Sequence, residues 1–269
     1  MSVSFKPRSI HDLQTFKQRG ERFVMLTAYD AISAAMLDEA GVPVLLVGDS
    51  LGMVVLGHPS TVPVTTDEMV HHTKAVRRGA PDALVVADMP FGSYQIDPSA
   101  AKANAVRLMQ EGGASAVKIE GGERVLDLVG DLVGMGIPVM GHLGLTPQSV
   151  NQFGGFKVQG RTTEAADRIV SDTRALQDAG AFAVVLECVP AEVGRRATQG
   201  VDIPTIGIGA GQDTDAQVLV LPDLLGMTAG PLPRFVKAYV DGRSIMRDAV
   251  KAFQAEVASG EYPGSEHRY

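Results

Sequence analysis

A chain of 269 residues with 24 Lys and Arg against 31 Asp and Glu carries a formal charge of −7, and no basic stripe runs through it, which argues against a nucleic-acid partner. Hydrophobic residues reach 45%, yet no run approaches the roughly 18 apolar residues that a membrane span needs. The single cysteine, Cys188, leaves no internal disulfide and fits a reducing compartment, the cytoplasm.

Trp is absent and aromatics are only 5%, so the core must be aliphatic, which suits parallel strands buried on both faces. The opening segment MSVSFKPRSIHDLQTFKQRG lacks the apolar stretch of a secretory signal. Ser9, with Asp12 in the first turn, predicts a short capping helix there. From that point short apolar runs alternate with longer amphipathic ones. Strand 23–29 leads to helix 31–40, strand 44–49 to helix 67–78, and strand 84–89 to helix 98–112. Strand 116–120 leads to helix 123–135, strand 138–144 to helix 163–180, and strand 183–189 to helix 190–199. Strand 204–209 leads to helix 212–217, and a last run, 218–221, precedes a helical stretch over 233–258.

Local signals support these boundaries. Thr65 and Glu68 have capping-box spacing, and Asp97-Pro98 and Thr146-Pro147 place a cap before proline at a first helical position. Gly41, Gly113, Gly136 and Gly180 stand where helices should stop. Strict alternation of eight runs predicts a closed (β/α)₈ TIM barrel as one domain over 1–269, with a short N-terminal helix and a C-terminal helical extension. A doubly wound sheet is the alternative. The glycine loop GIGAG at 207–211 lacks the full dinucleotide fingerprint and reads either as a cradle for an anion or, more readily, as a tight turn at the barrel rim.

In such a barrel the active site lies at the carboxyl ends of the strands. Five consecutive runs deliver ionisable groups to that rim: VGDS with Asp49 and Ser50, VADMP with Asp88, VKIEGG with Lys118 and Glu120, GHLG with His142, and VLECVP with Glu187. One Asp after a strand is a common helix cap or surface pair. Five in the same layer are not explained that way. Converging carboxylates repel unless a cation intervenes, and hard oxygen ligands suit Mg²⁺. Asp49, Asp88 and Glu120 are therefore the candidate metal ligands.

Lys118 and Glu120 are two apart and share a strand face. Lys118 reads either as a clamp for a substrate carboxylate or oxo group, or as one half of a structural ion pair. Glu187, on a separate strand, reads as a general base or as a partner of Arg195 or Arg196. His142 reads as a supporting contact, His71 and His72 as peripheral, and Cys188 as a small core residue turned to the opposite face from Glu187. The chemistry this set fits is metal-assisted proton abstraction beside a carbonyl, with the electrophile left open.

The segments LTAYD, VGDSLGM, DMPFGSY, VKIEGGE, GHLGLTPQSVNQFGGFKVQGR, LECVP, IPTIGIGAG and YPGSEH together resemble the ketopantoate hydroxymethyltransferase family, from about residue 9 to 267. That resemblance implies a (β/α)₈ barrel that moves a hydroxymethyl group from 5,10-methylenetetrahydrofolate to 3-methyl-2-oxobutanoate, giving 2-dehydropantoate. It implies one Mg²⁺ per subunit at Asp49, Asp88 and Glu120. Asp49, Ser50, Asp88 and Lys118 correspond to the family's oxo-acid contacts, with His142 supporting, and Glu187 to its proton acceptor. It also implies a homo-oligomer, a decamer. Two rivals stand beside it: a magnesium-dependent lyase or mutase of the phosphoenolpyruvate type, and a barrel that binds an oxo acid without turning it over.

Overall fold

The computed structural model describes residues 9–269, and these fall into two compact units, one ending at Leu219 and the other Val220–Tyr269. The expectation about a leader in the first eight residues lies outside the described residues. In the first unit eight strands, β1 Phe23–Thr27, β2 Val44–Val47, β3 Leu84–Asp88, β4 Ala116–Glu120, β5 Val139–Gly144, β6 Ala183–Glu187, β7 Thr205–Ile208 and β8 Ala216–Leu219, form a closed barrel. Every neighbouring pair is parallel, including β1 with β8.

The strands β2–β4 are aliphatic enough to be buried on both faces, as a parallel sheet under helices requires. Every residue of β2, β3 and β4 is buried. Inside, Val44 and Leu46, Leu84 and Val86, Ala183 and Val185, and Ala216 and Val218 belong to one cluster with Met25, Ala116, Met140 and Ile206. Branched and medium side chains from alternate positions fill such a barrel as a packed core. The N-terminal helix Ile10–Arg19 covers its lower end with Leu13, which is fully buried, and Phe16, whose ring lies 5.5 Å from that of Phe23. Its start is the predicted one: the Ser9 backbone N–H donates to Asp12 Oδ2 at 3.0 Å.

The other caps behave similarly. Thr65 N–H donates to Glu68 Oε2 at 2.8 Å while Glu68 N–H donates back to Thr65 Oγ1 at 3.2 Å. Asp97 accepts from Ser99 and Ala100 ahead of the helix Pro98–Gln110. Thr146-Pro147 opens only a 3₁₀ turn, Pro147–Ser149, and a short helix, Val150–Phe153, that Gly154 ends at φ +64°.

Two predicted helices are corrected. Residues 212–215 are irregular, and β8 begins at Ala216 where a helix is predicted over 212–217. Asp215 there turns its carboxylate to the Thr205 N–H at 2.8 Å and to Lys17 Nζ at 2.9 Å, which fixes an extended entry to β8. In the second unit the helix is Gly242–Ser259 and excludes 233–241. Tyr239 N–H donates to the Leu224 carbonyl at 2.9 Å and so takes no part in a helix, and Asp241 caps the observed one by accepting from Ser244 N–H at 3.1 Å. This C-terminal extension is its own compact unit, with Phe253 edge-on to Tyr262 at 5.2 Å. Among the described residues no helix is long and apolar enough to cross a membrane.

Candidate active site

The parity that fills the barrel with aliphatic side chains also aims the polar ones. Continuing the inward series two residues further leads from Val86 to Asp88, from Ala116 to Lys118 and Glu120, from Met140 to His142, and from Val185 to Glu187. On β2 the same series reaches Gly48, where a methyl group would lie 2.8 Å from Ser50 Oγ and 3.5 Å from Asp88 Oδ2. A bare backbone there leaves room for the Asp88 carboxylate. Register does the rest: Asp88 pairs with Lys118, Glu120 with His142, and Gly144 with Glu187. Asp49, Asp88, Lys118, Glu120 and His142 are each no more than 3% exposed. Glu187 is half-buried beside them, 16% exposed at its side chain.

A hydrogen-bonded frame holds the acids. Asp49 N–H donates to Asp88 Oδ2 at 3.0 Å. Gln148 Nε2 donates to Asp49 Oδ2 at 2.8 Å and to the Met89 carbonyl at 2.9 Å. The Gln148 backbone N–H donates to Glu120 Oε2 at 3.1 Å. Gln148 Oε1 accepts from the Tyr94 hydroxyl at 2.8 Å and from Gln95 Nε2 at 3.1 Å, so every polar atom of this buried amide is engaged. Tyr94, its proton committed to Gln148, also accepts from Glu120 N–H at 3.2 Å. Neither Gln148 nor Tyr94 is among the sequence candidates. Both lie in segments that carry the family resemblance, but nothing in their spacing marks them, because their roles depend on β3, β4 and the loop after β5 meeting. Ser50 meets the Tyr29 hydroxyl at 2.9 Å, and His72 Nδ1 donates to the Tyr29 carbonyl at 2.7 Å. His72 thus supports that corner.

Electrostatics follow from burial. Burial first, then the charges of Asp88 and Glu120, pushes the Asp49 carboxyl well above the usual carboxylate range. Burial raises Asp88 against the pull of Lys118, and pushes Glu120 up to about 7. Burial also opposes the charge on Lys118, but Asp88, Glu120 and Asp49 together raise it above an ordinary lysine. Burial and Lys118 hold His142 below an ordinary histidine, hence neutral near pH 7.

A neutral His142 has one defined arrangement here. Lys118 offers only donors, so Nζ donates to Nδ1 at 3.1 Å and the ring proton sits on Nε2. Nε2 lies 3.2 Å from Glu187 Oε2, in reach though off hydrogen-bond alignment. Nδ1 is also 3.4 Å from Glu120 Oε1. His142 therefore connects the buried acids to Glu187 and is more central than its sequence reading. Lys118 satisfies its ion-pair reading too, at 3.1 Å from Asp88 Oδ1. The alternative for Glu187 is overturned: Arg195 pairs with Glu192 on its own helix, Ala191–Gln199, and Arg196 reaches Asp167 of the neighbouring helix Thr163–Asp178 at 2.6 Å.

Three buried polar atoms at the centre lack a hydrogen-bond partner: Asp88 Oδ1, Glu120 Oε1 and His142 Nε2. Two are carboxylate oxygens in a buried cluster of three acids and one lysine, and such a set fits a hard divalent cation. Among the described residues no three His, Cys, Asp or Glu side chains already converge as a complete shell. Water and substrate oxygens would fill the remaining positions, as Mg²⁺ sites generally require.

Other sequence features take quieter roles. The 207–211 loop is a packing turn: a methyl at Gly211 would lie 2.5 Å from Ala191 Cβ, and one at Gly194 would lie 2.3 Å from the Ala210 carbonyl. Cys188 follows the end of β6 in a left-handed conformation, φ +48°, so strand alternation does not decide its direction. It is half-buried, and burial pushes its thiol up to about 12, which removes it as a nucleophile.

The family model for ketopantoate hydroxymethyltransferase matches residues 7–265. A protein of Thermobifida fusca (strain YX) named 3-methyl-2-oxobutanoate hydroxymethyltransferase is 57% identical over 261 residues, 97% of this chain and 93% of its own length. One of the same name from Syntrophus aciditrophicus (strain SB) is 54% identical, with 100% of both chains covered. Solved structures share the fold at low identity. They include 2,3-dimethylmalate lyase of the PEP mutase/isocitrate lyase superfamily, at 17% identity and TM-score 0.55 over 96% of this chain and 89% of that one. Another is phosphonopyruvate hydrolase in complex with oxalate and Mg²⁺, at 12% and 0.59 over 96% and 92%. The chain belongs to the ketopantoate hydroxymethyltransferase family.

Proposed function

We propose that this chain transfers a hydroxymethyl group from 5,10-methylenetetrahydrofolate to 3-methyl-2-oxobutanoate, giving 2-dehydropantoate through an enolate. The observation that carries the proposal is the placement of a half-buried Glu187 beside a neutral His142, with three buried carboxylates and Lys118 on its far side. A base stands apart from an anion-receiving centre, which is the separation that proton abstraction next to a carbonyl needs.

Mg²⁺, one per subunit, would be held by Asp49, Asp88 and Glu120, directly or through water, and would supply positive charge toward an enolate oxygen. Lys118 faces the anionic end of the oxo acid, and Ser50 with Asp49 borders it. Glu187 takes the C3 proton, with His142 Nε2 within reach of its carboxylate at 3.2 Å. The methylene folate opens its bond to N10 to give an iminium at N5, and the enolate carbon bonds to that methylene carbon. Water then supplies the hydroxyl as the bond to N5 breaks; tetrahydrofolate leaves, its two nitrogens taking the proton from Glu187 and one from the water. The reading extends to a cytoplasmic homo-oligomer. Its support is the single half-buried cysteine and the exposed Met246, Val250, Phe253 and Val257 along the helix Gly242–Ser259, none of whose residues is buried.

Proton NMR of 3-methyl-2-oxobutanoate in D₂O with protein and Mg²⁺ tests the proposal. Expected are metal-dependent loss of the C3 proton signal and, after adding methylenetetrahydrofolate, a new hydroxymethyl resonance. Neither exchange nor product from the folded, metal-loaded protein would sink it. Carbon–carbon cleavage without folate would favour the lyase reading.

A further inference from the structure

The segment FGGFKVQGR after β5 has no part in the acid centre, yet it walls a second pocket. This pocket, of ≈540 Å³, is lined by Phe153, Gln159 and Gly160 from that segment together with residues that follow β4 and β5. Its volume falls within the range of small-molecule sites. It begins next to the chemistry: Gly121 follows Glu120 directly, and Gly144 is the register partner of Glu187. A methyl group at Gly144 would lie 2.2 Å from the Glu187 carbonyl, so the wall can approach Glu187 only as glycine.

The lining has a distinct chemistry. Leu143, Phe153 and Ile169 give an apolar side, and Arg124 and Arg168 bring two guanidinium groups. Arg124 makes one long bond to Ser149 Oγ at 3.3 Å. Two acids also line the pocket, and Asp172, one helical turn from Arg168, lies within electrostatic reach of it, so Arg124 is the less compensated of the two cations. Asp172 is turned against Gly122, where a methyl would lie 2.0 Å from its Oδ2, and accepts the Glu123 backbone N–H. Glu164 sits in the first turn of the helix Thr163–Asp178, where the helix amide ends offset it. The pocket thus sets an apolar side against a polar one that carries two forked cationic donors, an arrangement that suits a flat ring ending in carboxylates.

We propose that this pocket receives the aromatic, carboxylate-bearing tail of the one-carbon donor, with Arg124 and Arg168 facing its carboxylates. The inference rests on the folate reading above and adds where that co-substrate lies. It places the donor on the β4–β6 side of the rim, so that the methylene carbon meets the enolate over Glu187.

The test uses the full enzyme with Arg124→Ala, Arg168→Ala and the double replacement, both arginines being exposed. Three quantities are read: KM for methylenetetrahydrofolate, KM for the oxo acid, and folate-free C3 exchange. The double variant should raise the donor KM by about 10-fold or more, leaving the other two within about 2-fold. A donor lacking the glutamate should show that rise with the unaltered enzyme and no further loss with the double variant. An unchanged donor KM, or equal losses in exchange and donor KM, would overturn the assignment. If the unaltered enzyme exchanges C3 but makes no donor-dependent product, the folate reading itself fails and takes the pocket assignment with it.

Discussion

Gln148 Nε2 donates to Asp49 Oδ2 at 2.8 Å, so a neutral side chain from the loop after β5 fixes a carboxylate at the end of β2. The same residue's backbone N–H holds Glu120. Groups that orient metal ligands in this way are typically worth about 10–100-fold in metal affinity. Gln148→Leu keeps the volume and removes the donor. Mg²⁺ titration by calorimetry should show binding weaker by about that factor, with a folded protein of lower stability, since a buried carboxylate has lost its partner. Undiminished Mg²⁺ affinity would show that Asp49 needs no such support.

Glu187→Gln removes the carboxylate proposed as the base while retaining size and the contact with His142. Metal-dependent C3 exchange should fall by about 100-fold or more, the usual contribution of a positioned base, with oxo-acid binding nearly unchanged. Exchange at the unaltered rate would remove Glu187 from that role and direct attention to the buried carboxylates.

The acid centre also sets a pH dependence for the metal-free protein. Glu120 is pushed from 4.5 to about 7 in the folded state, so between those values the folded chain keeps a proton the unfolded chain has lost. Stability therefore falls as pH rises through that window. Asp49 and Asp88, also raised, act with the same sign. His142, lowered, acts with the opposite sign up to about pH 6.5, one group against three. Thermal unfolding from pH 4.5 to 7 should show a falling melting temperature without metal and a smaller fall with Mg²⁺, whose binding takes the deprotonated carboxylates. A melting temperature that rises across the window would contradict this balance.

The barrel was legible because its signal is local: aliphatic runs of strand length, glycine stops, and caps such as Thr65 with Glu68. The acid centre was legible for a related reason. Asp88, Lys118, Glu120, His142 and Glu187 continue the inward parity of their own strands, so a position in sequence fixes a direction in space. Gln148 and Tyr94 were not legible, since they act across elements distant in sequence. Of the two readings of Glu187, the pairing with Arg195 or Arg196 fails for the same reason, since its near neighbour is His142 on the adjacent strand. The helix expected over 212–217 is instead the extended entry to β8. Asp215 is polar there because it binds Thr205 and Lys17.

That last cluster lies at the opposite end of the barrel from the acids and yields a contrasting prediction. Lys17 Nζ donates to Asp215 Oδ2 at 2.9 Å and to the Thr198 carbonyl at 3.1 Å, tying the N-terminal helix to the entries of β7 and β8. Both side chains are mostly buried, at 14% and 17% exposure, so removing the cation leaves Asp215 with only its Thr205 partners. Lys17→Met retains the packed stem and should cost about 1–3 kcal/mol in denaturant unfolding. C3 exchange at the far rim should stay within about 2-fold, because residues at the lower face of such barrels serve stability and those at the upper face serve chemistry. A loss of exchange comparable to the Glu187→Gln variant, in a protein still folded, would mean that the two ends of the barrel are coupled.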